Sequence, residues 1–135
     1  AARPAAEPER SALPGYSEDQ MSDLSAQQRE ICSRFGAEYE PLDLDLVLAI
    51  SQNFLSGVLP LNGLRHPREG HVRGWYLWAG EEWSDAVDFF EVWHVHHLVE
   101  RRPDVGRYLG FAPGWRFLLA GDREDVWFDQ KLLNV

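Results

Sequence analysis

His94, His96 and His97 crowd the run Glu91-Val-Trp-His-Val-His-His-Leu-Val-Glu100 and are the side chains best suited to chemistry. Read as a helix, this run sets His94 and His97 one turn apart, with Glu91 and Glu100 continuing the same ridge. Imidazole and carboxylate together suit zinc or a similar ion, so His94, His97 and Glu91 form a candidate ligand set. The set is incomplete. Its spacing is not that of the zinc-protease signature, and a di-iron bundle needs a second Glu-x-x-His and four long helices. The plainer reading makes these packing or capping histidines near a helix end. A small metal-binding domain or metal-dependent enzyme using the cluster stands as the alternative.

Nucleophilic chemistry finds less to work with. The chain holds no Gly-x-Ser-x-Gly, and no phosphate-cradling loop, since residues 110–114 carry a proline and an aromatic in place of a lysine. Cys32 is the one cysteine, which excludes an internal disulfide, and its neighbours Ile31 and Phe35 make a buried, inert thiol the expected state. The carboxylate pairs Glu81/Glu82, Asp85/Asp88 and Glu124/Asp125 read as solvated faces. No catalytic residues are assigned, no cofactor is expected, and the chain reads as a non-enzyme.

Binding is better supplied. Glu81, Glu82, Asp85, Asp88 and Glu91 are interleaved with Trp83, Phe89 and Phe90. Aromatic anchors ringed by carboxylates suit a basic protein surface, which they attract from a distance and hold by a desolvated centre. Glu81, Glu82, Trp83, Asp85 and Asp88 are therefore the candidate partner-binding residues. The mixture recurs at Glu124, Asp125 and Asp129 with Trp127 and Phe128, where alternation sends the aromatics inward.

The elements that must position these groups follow from periodicity. Residues 1–21, which open rich in Ala, Pro, Glu and Arg, read as a disordered leader, and 22–135 as a single domain. Ser25 and Gln28 make a capping box for a first helix that puts Leu24, Ile31, Cys32 and Phe35 on one face and ends at Gly36. Strands are expected at 44–51, after the acidic approach of Asp43 and Asp45, and at 54–61. Gly63, Pro67 and Gly70 make 62–73 a long loop, in which Arg65 and His66 serve to tie the chain down. Residues 74–80 form a strand with Trp75, Leu77 and Ala79 opposing Tyr76 and Trp78. Both of its faces are apolar, so it is central or lends one face to binding. A helix over 89–102 stops before Pro103, a short helical turn covers 104–109, and strands at 115–120 and 125–128 meet at Gly121-Asp122. Helices and strands without regular alternation give an α+β class: a small, mostly antiparallel sheet packed with two main helices, closed by a C-terminal hairpin.

Composition sets the outer limits. The chain has 135 residues and a formal charge of −9, a balance that repels nucleic acid and anionic membranes and favours a basic partner. No apolar run is long enough to cross a bilayer, and residues 1–8 lack the apolar core of a secretory signal, so a cytoplasmic protein is expected.

Four phrases carry a resemblance: Asn62-Gly-Leu-Arg-His-Pro67, Gly74-Trp-Tyr-Leu-Trp-Ala-Gly-Glu81, Pro113-Gly-Trp-Arg-Phe-Leu-Leu-Ala120 and Glu124-Asp-Val-Trp-Phe-Asp129. Together they resemble the immunity protein 33-like family of bacterial polymorphic toxin systems, over about residues 24–133. His94 and His97 also look similar to family positions, whereas His96 departs. The resemblance implies a protein that binds and neutralises a cognate toxin by occlusion, a basic nuclease being one such toxin. It carries no catalytic residues over.

Overall fold

A computed structural model describes residues 18–44, 46–67, 74–81 and 89–134 of the chain. In chain order it contains α1 (Glu18–Phe35), β1 (Val47–Ser51), β2 (Leu61–Arg65), β3 (Trp75–Ala79), β4 (Phe90–His94), α2 (Val95–Arg101), α3 (Pro103–Gly106), β5 (Trp115–Ala120), β6 (Arg123–Phe128) and a 3-10 turn (Gln130–Leu133). The strands form one six-stranded sheet in the order β4-β1-β3-β2-β5-β6. Only the β1–β3 pair is parallel; the rest are antiparallel. The class is α+β, as expected.

Helix α1 follows the expected apolar spacing, burying Leu24, Gln28, Ile31 and Cys32 while Gln27, Arg29, Glu30 and Arg34 stay exposed. Its start is earlier than the capping box suggests. Glu18 and Asp19 occupy the first turn, where carboxylates meet the positive end of the helix, so residues 18–21 are helical and the boundary at 22 falls inside α1. Ser25 lies within the helix, and its hydroxyl bonds the Tyr39 hydroxyl at 3.2 Å. At the far end Gly36 takes φ of 68°, the left-handed turn that stops the helix.

The helical layer and one sheet face share the main core. Leu24 and Ile31 of α1, Val95, Leu98 and Val99 of α2, and Val105 of α3 pack with Leu48, Ile50, Trp75, Leu77 and Phe117. Trp75 also donates its indole N–H to the Leu109 carbonyl at 3.1 Å. The opposite sheet face carries a smaller cluster of Leu64, Trp78 and Leu132, flanked by Tyr76, Phe89 and Phe90. This division matches the alternation expected of β3, and the position of β3 between β1 and β2 explains why both its faces are apolar. Trp75 and Trp78 are core residues, 1% and 5% exposed.

The second strand departs from expectation. Residues 52–57 form turns, and β2 runs through Leu61–Arg65, inside the stretch expected to be a loop. Gly63, with Pro67 and Gly70, gave that stretch its loop-like composition, yet Gly63 is demanded by the sheet and Asn62 is held by it. A Cβ on Gly63 would lie 2.5 Å from Phe117 Cζ and 2.9 Å from Leu77 Cδ2, so the strand needs a residue with no side chain there. The Asn62 amide donates to the Gly80 carbonyl at 2.9 Å. Arg65 closes the strand, 3% exposed, donating from Nη1 to the carbonyls of Phe111 (2.7 Å) and Glu40 (3.0 Å). His66 Nδ1 lies 3.0 Å from the Leu132 carbonyl oxygen. Both residues tie the chain down as expected, from a strand and its end.

Candidate functional site: the edges of the sheet

The helix expected over 89–102 is two elements. Phe90–His94 is strand β4, paired with β1, and the helix begins only at Val95. His94 makes the break, extended at φ −69° and ψ 145°, with no side-chain cap. Backbone capping substitutes: the Val95 and His96 amides donate to the Leu46 and Leu44 carbonyls at 2.9 and 3.0 Å. Apolar residues fall on nearly every side of this segment, so no change of period marks the passage from strand to helix.

The break dissolves the ligand ridge. Glu91 and His94 are three apart on a strand and point to opposite sheet faces, so Glu91 cannot join His94 and His97 as it would on a helix. The imidazoles still gather, with ring centroids 5.5 Å apart for His94 and His96, 5.9 Å for His94 and His97, and 4.4 Å for His96 and His97. His96 is buried and the other two are exposed. Among the described residues, no group of three or more His, Cys, Asp or Glu side chains is arranged to hold a metal.

Of the candidate partner-binding residues, Glu81 follows β3 and is exposed. Glu82, Trp83, Asp85 and Asp88 lie outside the described residues. Phe89 and Phe90, the aromatics that end the acidic segment, turn inward: their rings meet at 4.8 Å, and Phe90 meets Tyr76 at 5.6 Å.

Strand β4 is one edge of the sheet. Donation from Val95 to Leu46 and from Gln52 to the Phe89 carbonyl fixes which pairs of the β1–β4 ladder are hydrogen-bonded. By alternation, Val92 and His94 sit in the intervening pairs and turn their N–H and C=O groups outward. Val92 is 56% exposed. Alongside, β4 and α2 enclose an open groove of about 540 Å³ lined by Val92, Trp93, His94, His97, Glu100 and Arg101. The Arg101 guanidinium lies 6.0 Å from the Trp93 ring centre. Neither Glu91 nor Glu100 has an ion-pair partner among the described residues. The residue types of this edge were visible in the sequence. Its edge position depends on long-range pairing and was not.

Strand β6 is the other edge. Its hairpin with β5 turns at Gly121-Asp122 as expected. Its aromatics correct an expectation, because Trp127 and Phe128 are 39% and 47% exposed and do not face inward. The acids are the engaged partners. Glu124 accepts from Arg34 at 3.0 Å and from the Tyr108 hydroxyl, Asp125 pairs with Arg123 at 2.7 Å, and Asp129 with Arg116 at 3.1 Å. Arg116 also lies 5.4 Å from the centre of the Trp127 ring, so the cation occupies that aromatic face. Burial, then the Glu124 bond, push the Tyr108 hydroxyl up to about 12, so it remains a donor at neutral pH. A cleft of about 530 Å³ runs beside these groups between α1, the residues after α3 and the β5–β6 turn.

Cys32 is buried, 3.5 Å from the Gly110 carbonyl. Burial raises its thiol above the ordinary value and Arg65 opposes this, which accords with an unreactive core residue. Among the described residues no helix is long and apolar enough to cross a membrane.

No curated protein and no solved structure matches this chain. A family model does, from the middle of α1 through the whole sheet to the residue after β6. On that match, to the Imm33-like domain over residues 27–129, the chain belongs to the Imm33-like family of immunity domains.

Proposed function

We propose that this protein is an immunity protein that binds a cognate bacterial toxin in the cytoplasm and neutralises it by occlusion, without catalysis of its own. Membership of the Imm33-like family carries this reading. The formal charge of −9 supports a basic protein partner, for which a nuclease is the proposed class, and disfavours nucleic acid and anionic membranes. Glu81, Glu82, Trp83, Asp85 and Asp88 are the proposed contact, Glu81 being exposed at the end of β3. The alternative built on His94, His97 and Glu91 is less favoured, because β4 points Glu91 away from His94.

The test is co-expression and purification with the product of the adjacent gene. A stoichiometric complex in which that product loses its toxicity is the expected result. A toxic product that neither binds the chain nor is silenced by it would overturn the reading.

A further inference from the structure

An edge strand is a template for another strand, and most proteins blunt it with charge, proline or a covering element. On β4 the outward backbone of Val92 and His94 stands beside a side chain that is 56% exposed and uncharged. The adjoining groove of about 540 Å³ supplies room for side chains of an added strand. Glu100 lines it beside Arg101, Glu91 stands on β4 two residues before Trp93, and neither carboxylate forms an ion pair among the described residues.

We propose that β4 is the docking strand of this protein. An extended segment of the toxin adds to the sheet along Val92 to His94, with a lysine or arginine placed against Glu91 and Glu100. Main-chain hydrogen bonds give such an addition its affinity, and side-chain pockets give it selectivity. The proposal rests on the immunity reading and names the surface and the partner chemistry that serve it. The occupant is a basic protein rather than a second copy of this chain, because two copies each carrying −9 repel one another.

The test uses the full chain and the purified product of the adjacent gene. Val92→Pro removes one outward N–H, which β1 does not use, and should raise Kd on the order of tenfold or more. Its melting temperature should stay within a few degrees of wild type, because the ladder to β1 is intact. If Val92→Pro does not melt cooperatively, Val92→Lys and Val92→Asp replace it, and lysine should weaken binding more than aspartate. Wild-type affinity in the folded proline variant, or equal affinity of the lysine and aspartate variants, would overturn the docking strand and leave the immunity reading standing. No complex with wild-type protein would overturn both. A dimer of the free chain that Val92→Pro dissolves would assign the edge to self-pairing and also overturn the proposal.

Discussion

Strand β4 at one end of the sheet and strand β6 at the other both turn alternate amides outward, yet their side chains treat that exposure differently. On β6, Arg123, Glu124 and Asp125 are successive charges, and each acid from Glu124 to Asp129 is held by an arginine. Over Arg123 to Asp125 that edge is crowded with satisfied charge, which discourages a further strand, while Trp127 and Phe128 beyond it stay partly exposed. On β4 the exposed apolar position is Val92, and the nearby Glu91 and Glu100 have no ion-pair partner among the described residues. The difference separates two uses of acidic residues that composition cannot distinguish: on β6 they fasten the fold, and on β4 they are available to a partner.

The largest effect should come from neither edge. Gly63 lies on β2, between them, under the Phe117 ring, and Gly63→Ala should cost about 2–3 kcal/mol through overpacking. Denaturant melts should then show stability falling for the whole domain. Normal stability would mean that Phe117 moves aside and the sheet is looser than described.

Charge reversal addresses the comparison itself. Glu91→Lys with Glu100→Lys should lower affinity for the adjacent-gene product on the order of tenfold at low salt while leaving stability within about 0.5 kcal/mol. Asp125→Lys on β6 should leave affinity unchanged. Equal losses at the two edges, measured by titration calorimetry at two salt concentrations, would erase the distinction. Reversal of Glu81, Glu82 and Asp85 to lysine should weaken binding in the same salt-dependent way.

The fastening role predicts the opposite pattern. Tyr108→Phe removes the hydroxyl that Glu124 accepts from and should cost about 1 kcal/mol of stability with no change in affinity. The Arg116 hydrogen bond holds Asp129 below its usual value of 3.8. Its contribution is therefore complete above that value and fades as pH falls through the lower, folded-state value. Acid melts of wild type and Asp129→Asn should be separated above the ordinary value of 3.8 and draw together as pH falls further below it. This is the smallest of these effects, and parallel curves across that window would remove the Asp129 tie from the account.

What the sequence made legible was local. The β5–β6 hairpin showed through Gly121-Asp122, and β3 through the alternation of Trp75, Leu77 and Ala79 with Tyr76 and Trp78. Strand β2 was hidden because Gly63 answers to Phe117, a residue far along the chain that no local pattern connects to it. The β4–α2 junction was hidden because His94 changes the backbone without a glycine, a proline or a side-chain cap to announce it. The acidic segment was visible by composition. Which acids are already engaged was not, since Arg34 reaches Glu124 and Arg116 reaches Asp129 only after the sheet has formed.

Amide hydrogen exchange of the chain, free and bound to the product of the adjacent gene, tests the difference between the edges most directly. Binding should slow exchange at Val92 and His94 and leave Val126 and Phe128, outward on β6, unchanged. Protection at Val126 and Phe128 with none at Val92 and His94 would contradict it and move the partner to the opposite edge.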